Sequence, residues 1–157
     1  MQALGRDGGD ASAADVLLVA APGPEIANAL GGVTGVEGKV TIDATNAIRG
    51  RNEDFESNAH EVKSIVGGPT AKAFHLNFAV LYDEIERQPV RPSNLFAAED
   101  GAREAAERLS RDAGFEPVYA GGLEAARMLE EHVLLMFAVS NAGLGQHFYR
   151  IWKPGEA

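Results

Sequence analysis

The stretch Lys39-Val40-Thr41-Ile42-Asp43-Ala44-Thr45-Asn46 decides how the rest of the chain is read. Val40 and Ile42 are apolar and β-branched. Gly38 bounds the run on one side, and Asp43, Thr45 and Asn46 close the other. This is the pattern of a short buried strand that ends by presenting small polar groups. A similar run, Asp15 to Pro22, lies upstream, and its consecutive apolar residues Val16 to Val19 imply burial on both faces. Between the two, Pro24 to Leu30 is compatible with a helix that Pro24 opens. Strand, helix, strand is a crossover unit, and such units build parallel sheets with helices on the faces. Ligands of open parallel sheets bind beyond the carboxyl ends of the strands. Ala20, Ala21, Pro22, Thr45 and Asn46 are therefore expected on one rim.

Downstream, Phe55, Ala59 and Val62 recur at helical spacing, which predicts a helix over about 54–66, ended by Gly67-Gly68-Pro69. Thr70 to Leu76 reads as a third strand. Residues 77–92 resist assignment, because Pro89 and Pro92 break any regular element. Ser93 to Ala98 is a fourth strand. Gly101 to Ala113 is a helix with Asp100 as its N-cap and Gly114 at its end. Phe115 to Tyr119 is a fifth strand. Leu123 to about Ser140 is a long helix with the stripe Leu129, Val133, Met136, Phe137 and Ser140. Phe148, Tyr149, Ile151 and Trp152 form an aromatic tail that should dock, on its own domain or on a second subunit. The expectation is one α/β domain over 1–157, with 1–14 a loose lead-in and C-terminal helices within 123–152.

The chain has 157 residues, a net charge of −9 and no cysteine. Disulfides, thiolate metal sites and cysteine nucleophiles are thereby excluded. The acidic balance argues against nucleic-acid and anionic-membrane partners, although local backbone dipoles can still hold an anionic cofactor. No run of 18 apolar residues is present, so no spanning helix is expected. The first ten residues lack the apolar stretch of a signal peptide, and a cytoplasmic location is the default. His60, His132 and His147 are scattered without metal-ligand spacing, so no metal site is expected. No Ser-His-Asp or paired-carboxylate arrangement emerges, and no catalytic residue is assigned.

The order of these segments resembles a known family. Ala-Asp-Val-Leu-Leu-Val-Ala-Ala-Pro is followed by Gly-Lys-Val-Thr-Ile-Asp-Ala-Thr-Asn. Then come Ala-Lys-Ala-Phe, Gly-Phe-Glu-Pro-Val-Tyr-Ala-Gly and Gly-Leu-Glu-Ala-Ala-Arg-Met-Leu-Glu. Together, over about Asp10 to Trp152, they resemble the NADP-binding oxidoreductases related to coenzyme F-420-dependent NADP reductases. The resemblance implies a Rossmann-like fold with helices on both faces. It implies NADP as cofactor and hydride transfer to a deazaflavin, a flavin or another small-molecule acceptor, in a homodimer. By position, Ala21 and Pro22 would line the nicotinamide-ribose side. Asn46 would lie near the nicotinamide, and Lys72, Ala73 and Phe74 would match the segment whose backbone approaches the nicotinamide amide. His75 stands where relatives often have Asn.

The family's opening strand and G-x-G-x-x-G phosphate loop have no counterpart here, since Gly5-Arg-Asp-Gly-Gly follows no strand and opens no helix. The chain thus resembles an N-terminally truncated member, with its first strand left as an edge. Losing three charge-assisted bonds to phosphate would remove about 4–9 kcal/mol, or roughly three to six decades of affinity. A second reading follows: a non-catalytic, Rossmann-derived interaction module that dimerises through that edge and the aromatic tail, or needs an N-terminal partner. Blander readings stand beside the sharp ones. Asn46 also reads as a turn cap, Lys72 as a solvated strand-end charge and His75 as a partly buried structural histidine. Arg127 with Glu130 or Glu131 reads as a helix-surface ion pair.

Overall fold

A computed structural model describes residues 9–155. Its centre is a five-stranded sheet of β2 (Val16–Val19), β4 (Val40–Asp43), β5 (Thr70–Lys72), β6 (Ser93–Ala98) and β7 (Glu116–Tyr119), adjacent in that order. β2, β4 and β5 run parallel, with Val19 beside Asp43 and Asp43 beside Lys72. A two-stranded pair of β1 (Gly9–Asp10) and β3 (Val33–Thr34) lies apart from it. The expected loose lead-in is thus partly ordered: the end of it pairs in parallel with the glycine-rich return that follows α1 (Ile26–Gly31).

Residues 77–92 carry the main surprise. They hold a 3-10 helix, Ala79–Arg87, and stay at the carboxyl end of β5. β6 therefore starts at that end and runs antiparallel to β5, and β7 follows β6 in parallel. The sheet is Rossmann-like and mixed, with helices on both faces. A parallel entry would have needed a crossover helix, and the two prolines leave none.

Side-chain alternation sorts the layers. Leu17 and Val19 pack with Ile26, Leu30, Val62 and Val66, from α1 and α2 (Asn58–Val66), on one face. Leu95 and Ala97 meet Leu129, Val133 and Met136 of α4 (Ala126–Val139) on the same face. Ile42, Ala71, Phe96 and Ala98 meet Ala102 and Ala106 of α3 (Asp100–Asp112) on the other. Each fully buried side chain of the size of Ile42 or Phe96 contributes roughly 1.5–3 kcal/mol.

Local chemistry sets the element ends. Ser57 caps α2, its Oγ accepting from His60 N, and Gly67 closes the helix at φ 73°. The helix starts at Asn58 rather than near Asp54, because residues 53–57 form turns. Glu99, not Asp100, occupies the N-cap position of α3, and Asp100 falls in the first turn. Beyond α4, Ser140–Leu144 widens into a π turn with Gly143 at φ 118°, which ends the long helix. The aromatic tail docks on its own chain. Ser93 N donates to Tyr149 O at 2.9 Å, and Leu95 N donates to Tyr149 Oη at 3.0 Å. Burial pushes the Tyr149 hydroxyl up to about 12.

Candidate functional site

At the carboxyl ends of β2, β4 and β5 the polar groups that end the strands turn inward, not outward. Lys72 is fully buried, where a solvated charge was expected. Its Nζ lies 2.7 Å from Asp43 Oδ2 and 3.2 Å from Glu130 Oε1, and also donates to Thr45 O. Asp43 and Glu130 are equally buried. Register explains the first contact, since Asp43 and Lys72 are neighbours across parallel strands and both point to the face covered by α2 and α4. Glu130 comes from α4, on the buried side next to Leu129. Its carboxylate also accepts from Asn58 N at 3.2 Å and Ala59 N at 3.3 Å, at the N-terminus of α2. Unpaired N–H groups and the helix dipole favour a carboxylate there. Arg51 Nη1 closes the cluster at 3.3 Å from Glu130 Oε2. Two cations and two carboxylates thus balance within one enclosed network.

This network fixes the turn after β4. Asp43 Oδ1 accepts from Thr45 N at 2.8 Å, and Asn58 Nδ2 donates to Thr45 Oγ1 at 3.0 Å and to Asn46 O at 3.3 Å. Gly23 packs against the same turn. A β-carbon there would run into the Gly50 carbonyl oxygen and lie 2.9 Å from Asn58 Nδ2. The turn after β2 and the turn after β4 are therefore held together by backbone approach.

Above this platform opens a cleft of about 550 Å³. Leu18 and Ala20 enter it from β2 and its end, Ala44, Asn46 and Ile48 from the turn after β4, and Phe74 to Ala79 from the segment after β5. Leu109 and Ala113 close it on the α3 side, and Val133, Met136 and Phe137 on the α4 side. Among the described residues, no aspartate, glutamate, lysine or arginine lines it. His75 does, its ring buried, with the Ala73 and Leu129 backbone beside its nitrogens. Burial, reinforced by the Lys72 charge, holds its imidazole well below the usual histidine range, so it is neutral. Phe78 and Phe137 of the wall meet edge-to-face at 5.4 Å, and Tyr82 of the wall meets the buried Phe115 in the same way.

Phe74 is the one non-glycine residue with positive φ among the described residues, at 61°. A phenylalanine held there costs on the order of 1–3 kcal/mol, and such strain persists only where the surroundings fix it. Here Asn94 Oδ1 accepts from Phe74 N at 3.2 Å, and Asn94 is itself held by Ser110 Oγ at 2.9 Å. The Phe74 ring lies edge-on to Phe115 at 6.3 Å.

Of the six residues singled out in the sequence, four fall in these two regions and Ala21 and Pro22 in neither. Asn46 and Phe74 lie on the cleft wall. Asn46 is at the same time a turn cap, its Oδ1 accepting from Ile48 N at 3.3 Å. Lys72 and Ala73 are buried beneath the cleft. Ala21 is half-buried and Pro22 exposed, on the turn that leads into the 3-10 segment Gly23–Glu25. Arg127 pairs with Glu131 at 3.0 Å on the helix surface, whereas Glu130 points inward. Sequence reasoning missed Glu130, Arg51 and Asn58. The one signal for Glu130 was its place beside Leu129 on the inward stripe of a helix.

Comparison with known proteins bears on the fold. No protein-family model and no curated protein matches the sequence. Among solved structures, the chain is similar to a candidate F-420-dependent NADP reductase from Arthrobacter sp. FB24, with a TM-score of 0.74 and 17% identity. That match covers 91% of this chain and 72% of the other. It is also similar to a hypothetical protein from Sinorhizobium meliloti, with a TM-score of 0.65 and 23% identity, over 90% of this chain and 67% of the other. The fold is shared. No helix among the described residues is long and apolar enough to cross a membrane.

Proposed function

We propose that this chain is an NADP-dependent oxidoreductase of the F-420-dependent NADP reductase type, in which a nicotinamide and a small-molecule electron acceptor meet in the cleft. The observation that carries this reading is the cleft itself. It sits at the carboxyl ends of β2 and β4, where open α/β sheets take their ligands. It has the size of a ligand pocket and an uncharged, mostly apolar wall. That lining suits a pair of planar rings. Its described residues offer no charged partner to a phosphate, so the phosphates of a dinucleotide would lie outside it.

A bound nicotinamide cofactor would supply the hydride chemistry. The chain's own residues would orient and enclose. Ala20 and Ala44 leave room for a ring, and the Phe74, Phe78 and Phe137 side chains exclude water from it. Asn46, Asn77, Tyr82 and neutral His75 supply the polar groups of the wall. The buried Lys72 network acts from below by holding the Asp43–Asn46 turn in place.

Calorimetric titration with NADPH, up to millimolar concentration, tests the binding half. Loss of NADPH absorbance on adding a deazaflavin or flavin tests the transfer half. Saturable heat with acceptor-dependent oxidation is expected; silence in both assays would overturn the reading. A second reading, a non-catalytic module that dimerises, is supported by the edge position of β2 in the sheet, where Leu18 is 44% exposed. A chain that self-associates and gives no heat with NADPH would favour it.

A further inference from the structure

β6 turns Asn94, Phe96 and Ala98 toward α3, and Phe96 and Ala98 meet the apolar side of that helix. Asn94 breaks the pattern. Its amide is fully buried in an apolar layer, which is costly unless hydrogen bonds replace water. Nδ2 donates to Ser110 Oγ at 2.9 Å, and Oδ1 accepts from Phe74 N at 3.2 Å. Ser110 is fully buried too, and gives its one hydroxyl proton to Ala106 O at 2.7 Å. It is therefore left to accept from Asn94, which turns the amide oxygen toward Phe74. Ser110 has a second hold. Its carbonyl accepts from Phe115 N at 2.9 Å, where the chain leaves α3. The Phe115 ring is edge-on to Phe74 at 6.3 Å and to Tyr82 at 5.4 Å. Phe74 and Tyr82 line the cleft, whereas Asn94, Ser110 and Phe115 stand behind it.

We infer that Asn94 and Ser110 are positioning residues for the cleft: they hold its aromatic wall rigid from behind and so favour a flat ring over a flexible chain. Backbone pairing of β5 with β6 ends at Lys72, opposite Ala97. Just past that point a side chain of β6 replaces the ladder, because Phe74 N is taken by Asn94. Phe74 then stands at φ 61°, and the chain runs on as cleft wall from Phe74 to Ala79. The strain of that conformation and the cost of an orphaned buried N–H are of one order, so a single hydrogen bond decides whether it persists. The ring of Phe74 is fixed by the same pair, through Phe115. A wall already held in place has little freedom left to lose when a ligand enters, and such preorganisation raises affinity for a rigid partner. The identity of that ring rests on the oxidoreductase reading; the tether does not.

Asn94→Leu removes both amide bonds at nearly constant volume, and two readouts follow it. In isotope-labelled protein, the one-bond Cα–Hα coupling of Phe74, which separates positive from negative φ, should move to the value of the common region. Calorimetry should show NADPH binding weakened at least about tenfold. Ser110→Ala, which frees the Asn94 amide to turn, should weaken it in the same direction by roughly threefold, and carries both readouts if Asn94→Leu does not fold. Val66→Ala, in the core on the opposite face of the sheet, controls for plain loss of stability and should leave the affinity within about twofold. Phe74 staying at positive φ without Asn94 would overturn the tether. A released Phe74 with wild-type affinity would overturn the positioning role, as would an equal loss in Val66→Ala. The coupling needs no ligand, so it decides on the tether even where the wild-type chain takes up no NADPH, a result that would count against the oxidoreductase reading alone.

Discussion

Two regions meet at the ends of β4 and β5, and they are built on opposite rules. Below, Lys72, Asp43, Glu130 and Arg51 are enclosed with every charge partnered. Above, the cleft has no charged wall residue among the described residues, and its wall is mostly apolar. The contrast separates two tasks. The network below holds backbone in place, because buried charges tolerate only one arrangement. The cleft above is enclosed by side chains that carry no charge and leave an open volume.

That division can be broken most directly from below. Lys72→Met leaves the buried Asp43 carboxylate without a cation and Glu130 with Arg51 alone, and should cost about 3–5 kcal/mol. Urea unfolding would show it, and a wild-type midpoint would mean that the network is not structural. From above, Ala44→Phe should fill the cleft and weaken NADPH binding at least about tenfold while the urea midpoint holds. A parallel loss of both would merge the two regions into one.

His75 stands between them, lining the cleft but close to Lys72. Its imidazole is held neutral in the fold, whereas the unfolded chain titrates at the ordinary value of 6.5. The unfolded state thus binds the extra proton as the pH drops. Stability is complete above that value and falls below it, by about 0.8 kcal/mol at pH 6. His75→Gln should remove this part of the slope in a pH series of unfolding curves; an unchanged slope would show that the native imidazole takes up the proton too. The smallest effect is expected at the network's outer margin. Glu131 is half-exposed and touches Arg51 at 3.4 Å, so Glu131→Ala should change stability by no more than about 0.5 kcal/mol. A larger loss would extend the rigid region out to the surface.

Much of the sheet was legible because its strands are written in β-branched and apolar runs. Val16 to Val19, Val40 to Ile42 and Ser93 to Ala98 all form strands. α3 and α4 were equally plain from their spacing. The direction of β6 was not. It depends on the path of residues 77–92, where two prolines and scattered apolar residues carry no period. Lys72 was misread for a related reason. A single lysine at a strand end looks solvated unless its partners are known, and one of them, Glu130, lies far away in sequence. Register could have paired Lys72 with Asp43, but only once β4 and β5 were known to be neighbours. The cleft was legible as a rim, through Ala20 and Asn46. Its other wall, from Leu109 to Phe137, required the packing of α3 and α4.

The docked tail has a spectroscopic consequence. The chain's single tryptophan, Trp152, lies three residues past Tyr149 and is half-exposed, with Arg150 over its ring at 5.4 Å. Its emission will be that of a wet indole even in the native state, so tryptophan fluorescence will barely register the tail leaving β6, and circular dichroism, which follows the sheet, is the probe of unfolding to use.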